Sequence, residues 1–178
     1  MDARSEKPPF AEEEGVFLLH KTLISMIEGS VGSAVFQKMF FEQYGEEVDV
    51  LRNGDLSCAV HVSFILYNLG LIKEPHTFVT HTVRDLEDSG WIQIDEPLPG
   101  AVLVWGDKLG DSGEIPPHIG FSLGEERAVS NVDVKQSPQE HHWTFGTNED
   151  GSPKREVTAI YWHPSFDEEL GRKQAVVT

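Results

Sequence analysis

Residues 53–70 read NGDLSCAVHVSFILYNLG, and the rest of the chain is organised around them. Asp55 and Ser57 are short oxygen-bearing residues of the kind that accept the orphan backbone N–H bonds of a helix start, and an apolar run follows at once. Val62, Ile65, Leu66 and Leu69 recur at three- and four-residue steps, and Gly70 supplies a stop, so the spacing predicts a helix with one face to bury. Cys58, the only cysteine, falls in its first turn. There the partial positive charge of the helix end favours a thiolate, which is the nucleophilic form. Taken alone, a single cysteine among apolar residues is more often a small buried hydrophobe.

A second stretch changes that balance. Residues 116–131, PPHIGFSLGEERAVSN, read as an alternating strand that opens at His118, turns at Gly124 and returns as a second strand. His118, Gly120 and Ser122 share one face, and Ile119, Phe121 and Leu123 share the other, which is suited to the core. Gly120 and Ser122 are small, so a substrate backbone can approach beside His118. The partner of His118 on the return strand depends on the turn. An even number of turn residues, such as Gly124 to Arg127, pairs Leu123 with Ala128 and puts Asn131 opposite Gly120; an odd number brings Ser130 there. Asp133 is a further carboxylate on the same strand.

Three segments in order, SCAVHVSFIL, LPGAVLVWGD and HIGFSLGEERAVSN, resemble the NlpC-like cell-wall peptidase superfamily and its CHAP relatives, over about residues 53–131. The resemblance implies an α+β, papain-like fold, with N-terminal helices packed on an antiparallel sheet, the nucleophile on a helix end and the histidine on the sheet. It implies catalysis by Cys58 and His118, with a polar residue on the second strand orienting the imidazole: Asn131 first, then Ser130, then Asp133. Asparagine suits the task because its amide oxygen accepts the ring N–H without carrying charge. Tyr44 corresponds to the family's oxyanion-binding tyrosine, while Ala101 stands where the family usually has an aspartate after Pro-Gly. The substrate implied is an amide bond in a peptide or a muropeptide-like fragment. No metal or organic cofactor is called for.

The remaining chain is read as scaffold. A leader over residues 1–11 precedes a single domain over residues 12–166 and a tail over residues 167–178. Glu12 to Glu14 place negative charge where a helix from about Glu13 to Ile27 would begin, with Phe17, Leu18 and Met26 in its buried stripe. Val35, Phe36, Met39 and Phe40 mark a second amphipathic helix ending near Gly45. A short helix from Thr80, stopped at Gly90, precedes a strand at 91–94; AVLVW at 101–105 suits a strand covered on both faces, and 106–117 reads as a loop. The final strand is expected from Arg155 to His163. His61, one turn beyond Cys58, is placed to touch the cleft. His141 and His142 point in opposite directions if extended, which does not suit metal ligands but leaves one of the two able to line the cleft mouth.

Thirty acidic against fourteen basic residues give a formal net charge of −16, which repels nucleic-acid phosphates and anionic lipid. No segment has the length and apolarity of a signal peptide or a membrane span, so the expected location is cytoplasmic. These readings converge on a cysteine peptidase or amidase with a Cys58–His118–Asn131 site. Two other classes stay open: a non-catalytic binding module on the same fold, and a thiol-based redox sensor.

Overall fold

The computed structural model describes residues 15–106, 108–110, 113–132 and 135–171, with backbone alone at 108–110 and 113–115. Helix α1 spans Leu19–Ser30 and buries His20, Leu23, Ile27 and Ser30. It begins later than the charge pattern predicts, and Phe17 and Leu18 are exposed. The cause is long-range: the Glu169 carboxylate accepts the backbone N–H groups of His20 (2.8 Å) and Lys21 (3.0 Å), capping the helix from the far end of the chain. Glu12 to Glu14 and the expected leader lie outside the described residues.

Where a second helix was expected, strands β1 (Phe40–Gln43) and β2 (Glu46–Asp49) form a hairpin. Tyr44 and Gly45 both have positive φ, 55° and 83°, the signature of the two-residue turns that match strand twist. The turn chemistry of Tyr-Gly overrides the helical spacing of Met39 and Phe40. It also leaves Tyr44 fully exposed at a hairpin tip, away from any oxyanion role.

Helix α2 spans Cys58–Asn68, as the central stretch predicts. At its end Leu71 N–H returns to Leu66 C=O and Gly70 N–H to Tyr67 C=O, a pair of bonds that requires the positive φ of Gly70 (68°). It is buried on most of its circumference, from Ala59 through Leu66, rather than on one face. Helix α3 (Val79–Asp88) closes in the same way through Gly90.

The sheet has six antiparallel strands in the order β3 (Ile92–Gln93), β10 (Val157–Trp162), β4 (Val102–Trp105), β7 (His118–Gly124), β8 (Arg127–Val132) and β9 (Ser137–His142). A separate ribbon of β5 (Lys108–Gly110) and β6 (Gly113–Ile115) occupies part of the expected 106–117 loop. Helix α4 (Ser165–Glu169) packs where the tail was expected to begin, with Phe166 fully buried. With its four helices, the described chain is an α+β fold with helices packed on an antiparallel sheet.

Residues paired across antiparallel strands share a face. Val102, Phe121 and Val129 therefore lie on one face, and Trp105, His118, Gly120 and Ser130 on the other. Phe121 meets His61 of α2 edge-on at 5.7 Å, which identifies the first face as the helix side. The apolar trio of β7 is buried there, as alternation predicts. No helix among the described residues is long and apolar enough to cross a membrane.

Candidate functional site

Cys58 is the first residue of α2 and is half-buried. The expected Ser57 cap does not form. Ser57 has helical backbone angles (φ −91°, ψ −3°) and donates its hydroxyl to the Phe36 carbonyl at 2.5 Å, while Asp55 accepts from the Gln136 side chain at 3.2 Å. The Ser57 hydroxyl is therefore not spent on a capping bond.

His118 opens β7. Its Nε2 lies 2.8 Å from the Ser130 hydroxyl, and that hydroxyl lies 2.7 Å from Nε2 of His141. Trp105 and Phe145 face the His118 ring at 5.4 and 5.8 Å between centroids, and Phe145 stacks on His141 at 4.1 Å. Burial first, then the Arg155 guanidinium and the neighbouring His141 and His61, push the His118 pKa down to about 3, so the ring is neutral at ordinary pH. Burial also lowers His141, against the raising effects of its bond to the His142 carbonyl and of Glu140.

Ser130, rather than Asn131, thus meets His118, and the reason is a single residue. The turn itself is even, with Glu125 and Glu126 at positive φ between the paired Gly124 and Arg127. A bulge at Leu123 then inserts one extra residue, so Ser122 pairs with Ala128 and Gly120 with Ser130. Parity reverses, and Asn131 turns to the helix side. There it donates Nδ2–H to the Gly54 carbonyl at 2.6 Å, tying β8 to the loop before α2. Asp133 lies outside the described residues.

Two expected substrate contacts are also placed differently. Gly120 is buried, and a Cβ on it would lie 2.6 Å from both Ser130 Cβ and the Val129 carbonyl oxygen, so the room it leaves is filled by the return strand rather than by a ligand. His61 is fully buried between Phe36 and Phe121 and bonded to Ser30 (2.8 Å), with its pKa lowered by burial to about 3.

The thiol-bearing helix and the imidazole lie on opposite faces of the sheet but at the same end, where β7 begins and where Asn131 of β8 holds the α2 approach. Two surface hollows, of about 490 and 290 Å³, lie between the 96–99 and 123–127 loops and between residues 73–76 and α3; neither is lined by Cys58 or His118. Among the described residues no group of three or more His, Cys, Asp or Glu is placed to hold a metal ion.

His141 is the member of the His141–His142 pair that joins the site. Its two-residue offset from the partner of Ser130 on β9 was legible only with the β8–β9 register, in which Ser130 pairs with Gln139 and Ala128 with His141. His142 does point away, as expected for consecutive strand residues, and bonds Thr144. No protein-family model matches this chain, and no curated protein matches it.

Proposed function

We propose that the protein is a papain-like cysteine hydrolase that cleaves an amide bond in a peptide, with muropeptide-like fragments as the first class to test. The observation that carries this reading is the anchoring of His118. Its Nε2 is committed to Ser130, so Nδ1 is the nitrogen left to take a proton from a nucleophile. Burial makes that imidazole a weak base, so the charge that develops as the thiol and substrate meet it has to raise its basicity before it takes the proton.

In this mechanism the Cys58 S–H proton passes to Nδ1 and the sulfur attacks the substrate carbonyl carbon. Charge developing on the carbonyl oxygen is held by N–H groups at the start of α2, where the Ser57 side chain makes no capping bond. His118 then protonates the leaving amine, and water, deprotonated by the same nitrogen, hydrolyses the thioester. Ser130 takes the orienting part that the sequence suggested for Asn131. The mechanism requires sulfur and Nδ1 to meet around the end of the sheet.

That requirement is testable by alkylating Cys58 with iodoacetamide and following the product by mass spectrometry. At neutral pH the thiol should react faster than one with the free pKa of about 8.5, and His118→Ala should slow it by about tenfold or more. Equal rates in the two proteins would remove the base and leave a non-catalytic module. A panel of muropeptides and simple peptides, with Cys58→Ala as blank, tests amide cleavage directly.

A further inference from the structure

The Ser130 hydroxyl sits between two imidazole nitrogens and has one hydrogen to give. The direction of each bond follows from the far end of the chain of contacts. Nδ1 of His141 lies 2.8 Å from the His142 carbonyl oxygen, and a carbonyl only accepts, so that nitrogen carries the hydrogen. Burial lowers the His141 pKa from its ordinary 6.5, so at neutral pH and above its Nε2 is a bare acceptor and Ser130 donates to it. The Ser130 oxygen is then left to accept, and the remaining donor is Nε2–H of His118. A neutral imidazole with its hydrogen on Nε2 has its lone pair on Nδ1.

We infer that His141 is a positioning residue that sets the tautomer of His118 through the Ser130 hydroxyl, leaving Nδ1 as the basic nitrogen. Its functional meaning rests on the hydrolase reading above. Stacking on Phe145 at 4.1 Å and contact with Trp105 at 5.8 Å hold the His141 ring in the plane that the relay needs. When Nδ1 gains a proton, the Nε2–H bond to Ser130 keeps its direction, so no hydrogen bond reverses as charge develops on the ring. A preset arrangement of this kind costs no reorganisation during reaction.

Long-range proton–nitrogen correlation spectra of the full-length protein, labelled with nitrogen-15 at histidine, read the tautomers directly. The expected wild-type pattern is a protonated Nε2 and bare Nδ1 on His118, with the reverse on His141. His141→Phe keeps an aromatic ring against Phe145 but offers Ser130 no acceptor; His118 should become a mixture of tautomers and Cys58 alkylation should slow by about tenfold. His141→Gln, whose amide oxygen can accept from Ser130, should restore both. Ser130→Ala, which breaks the link at its centre, should also mix the tautomers and serves where His141→Phe does not fold. A hydrogen on Nδ1 of His118 in the wild type, or an unchanged Nε2–H in these two variants, overturns the inference. Tautomers that follow the expected pattern while alkylation ignores His118→Ala uphold the relay and overturn the hydrolase reading.

Discussion

Ser130 and Asn131 are neighbours in sequence and divide two tasks between the faces of one strand. Ser130 joins two imidazoles, whereas Asn131 spends its amide N–H on the Gly54 carbonyl and is 2% exposed. Asn131 is therefore a structural tie at the approach to α2. Asn131→Ala should lower stability by about 1 kcal/mol, because the Gly54 carbonyl loses one of its two donors and keeps the Ser57 N–H at 3.3 Å. It should leave the His118 tautomer as in the wild type. Urea unfolding and the same histidine spectra check both parts; a tautomer change without loss of stability would return Asn131 to the candidate site. Local sequence was enough to mark Cys58, His118, Ser130 and Asn131 as residues able to carry chemistry. Choosing between the last two needed the position of a bulge, and a bulge costs only local ladder bonds that other contacts can replace.

At the scale of elements, the β7–β8 hairpin is held in register by close approach as well as by its turn. The missing side chain of Gly120 is the space in which Ser130 Cβ and Trp105 pack, the latter at 3.1 Å from where a Cβ would lie. Gly120→Ala should cost about 1–3 kcal/mol of stability, as overpacking does, and should displace the Ser130 hydroxyl from His118. A melting curve and the His118 nitrogen signals report the two effects. Wild-type stability with an intact Nε2–H would show that the strands have room to separate there. Helix α2 and the strands over 102–105 and 118–124 were legible from their apolar runs and glycine stops, although α2 is buried nearly all round rather than on one face. Helix α1 was misplaced because its cap is Glu169, 149 residues from His20 along the chain. The β1–β2 hairpin was misread because its four β1 residues are all exposed, so no burial pattern marked the strand, and the Tyr44-Gly45 turn decided the conformation.

For the whole molecule, the buried histidines tie folding to pH. His61 is fully buried, with a folded pKa pushed down to about 3 from 6.5, so between those values the unfolded chain binds a proton that the folded chain refuses. Its contribution is complete above about pH 6.5 and is lost as pH falls towards 3, at about 1.4 kcal/mol per unit. His118, lowered in the same way, adds in the same direction. The net charge of −16 works oppositely, since protonating carboxylates relieves self-repulsion. That relief comes mainly below about pH 4.5, where carboxylates titrate. Urea unfolding should therefore show stability falling by about 2 kcal/mol or more between about pH 7.5 and pH 5. A flat or rising profile over that interval would mean that these rings gain protons in the folded protein.

The sequence by itself determined that a helix begins at Cys58 and that His118 opens a strand whose apolar alternate residues go inward. These follow from side-chain periodicity and glycine punctuation, which act between residues close along the chain. Only the tertiary structure decided that Ser130 rather than Asn131 binds His118, that His141 closes a three-residue chain of hydrogen bonds, and that thiol and imidazole lie on opposite faces at one end of the sheet. Those outcomes depend on strand register and on which face each helix covers, and both are set by contacts between segments far apart in sequence.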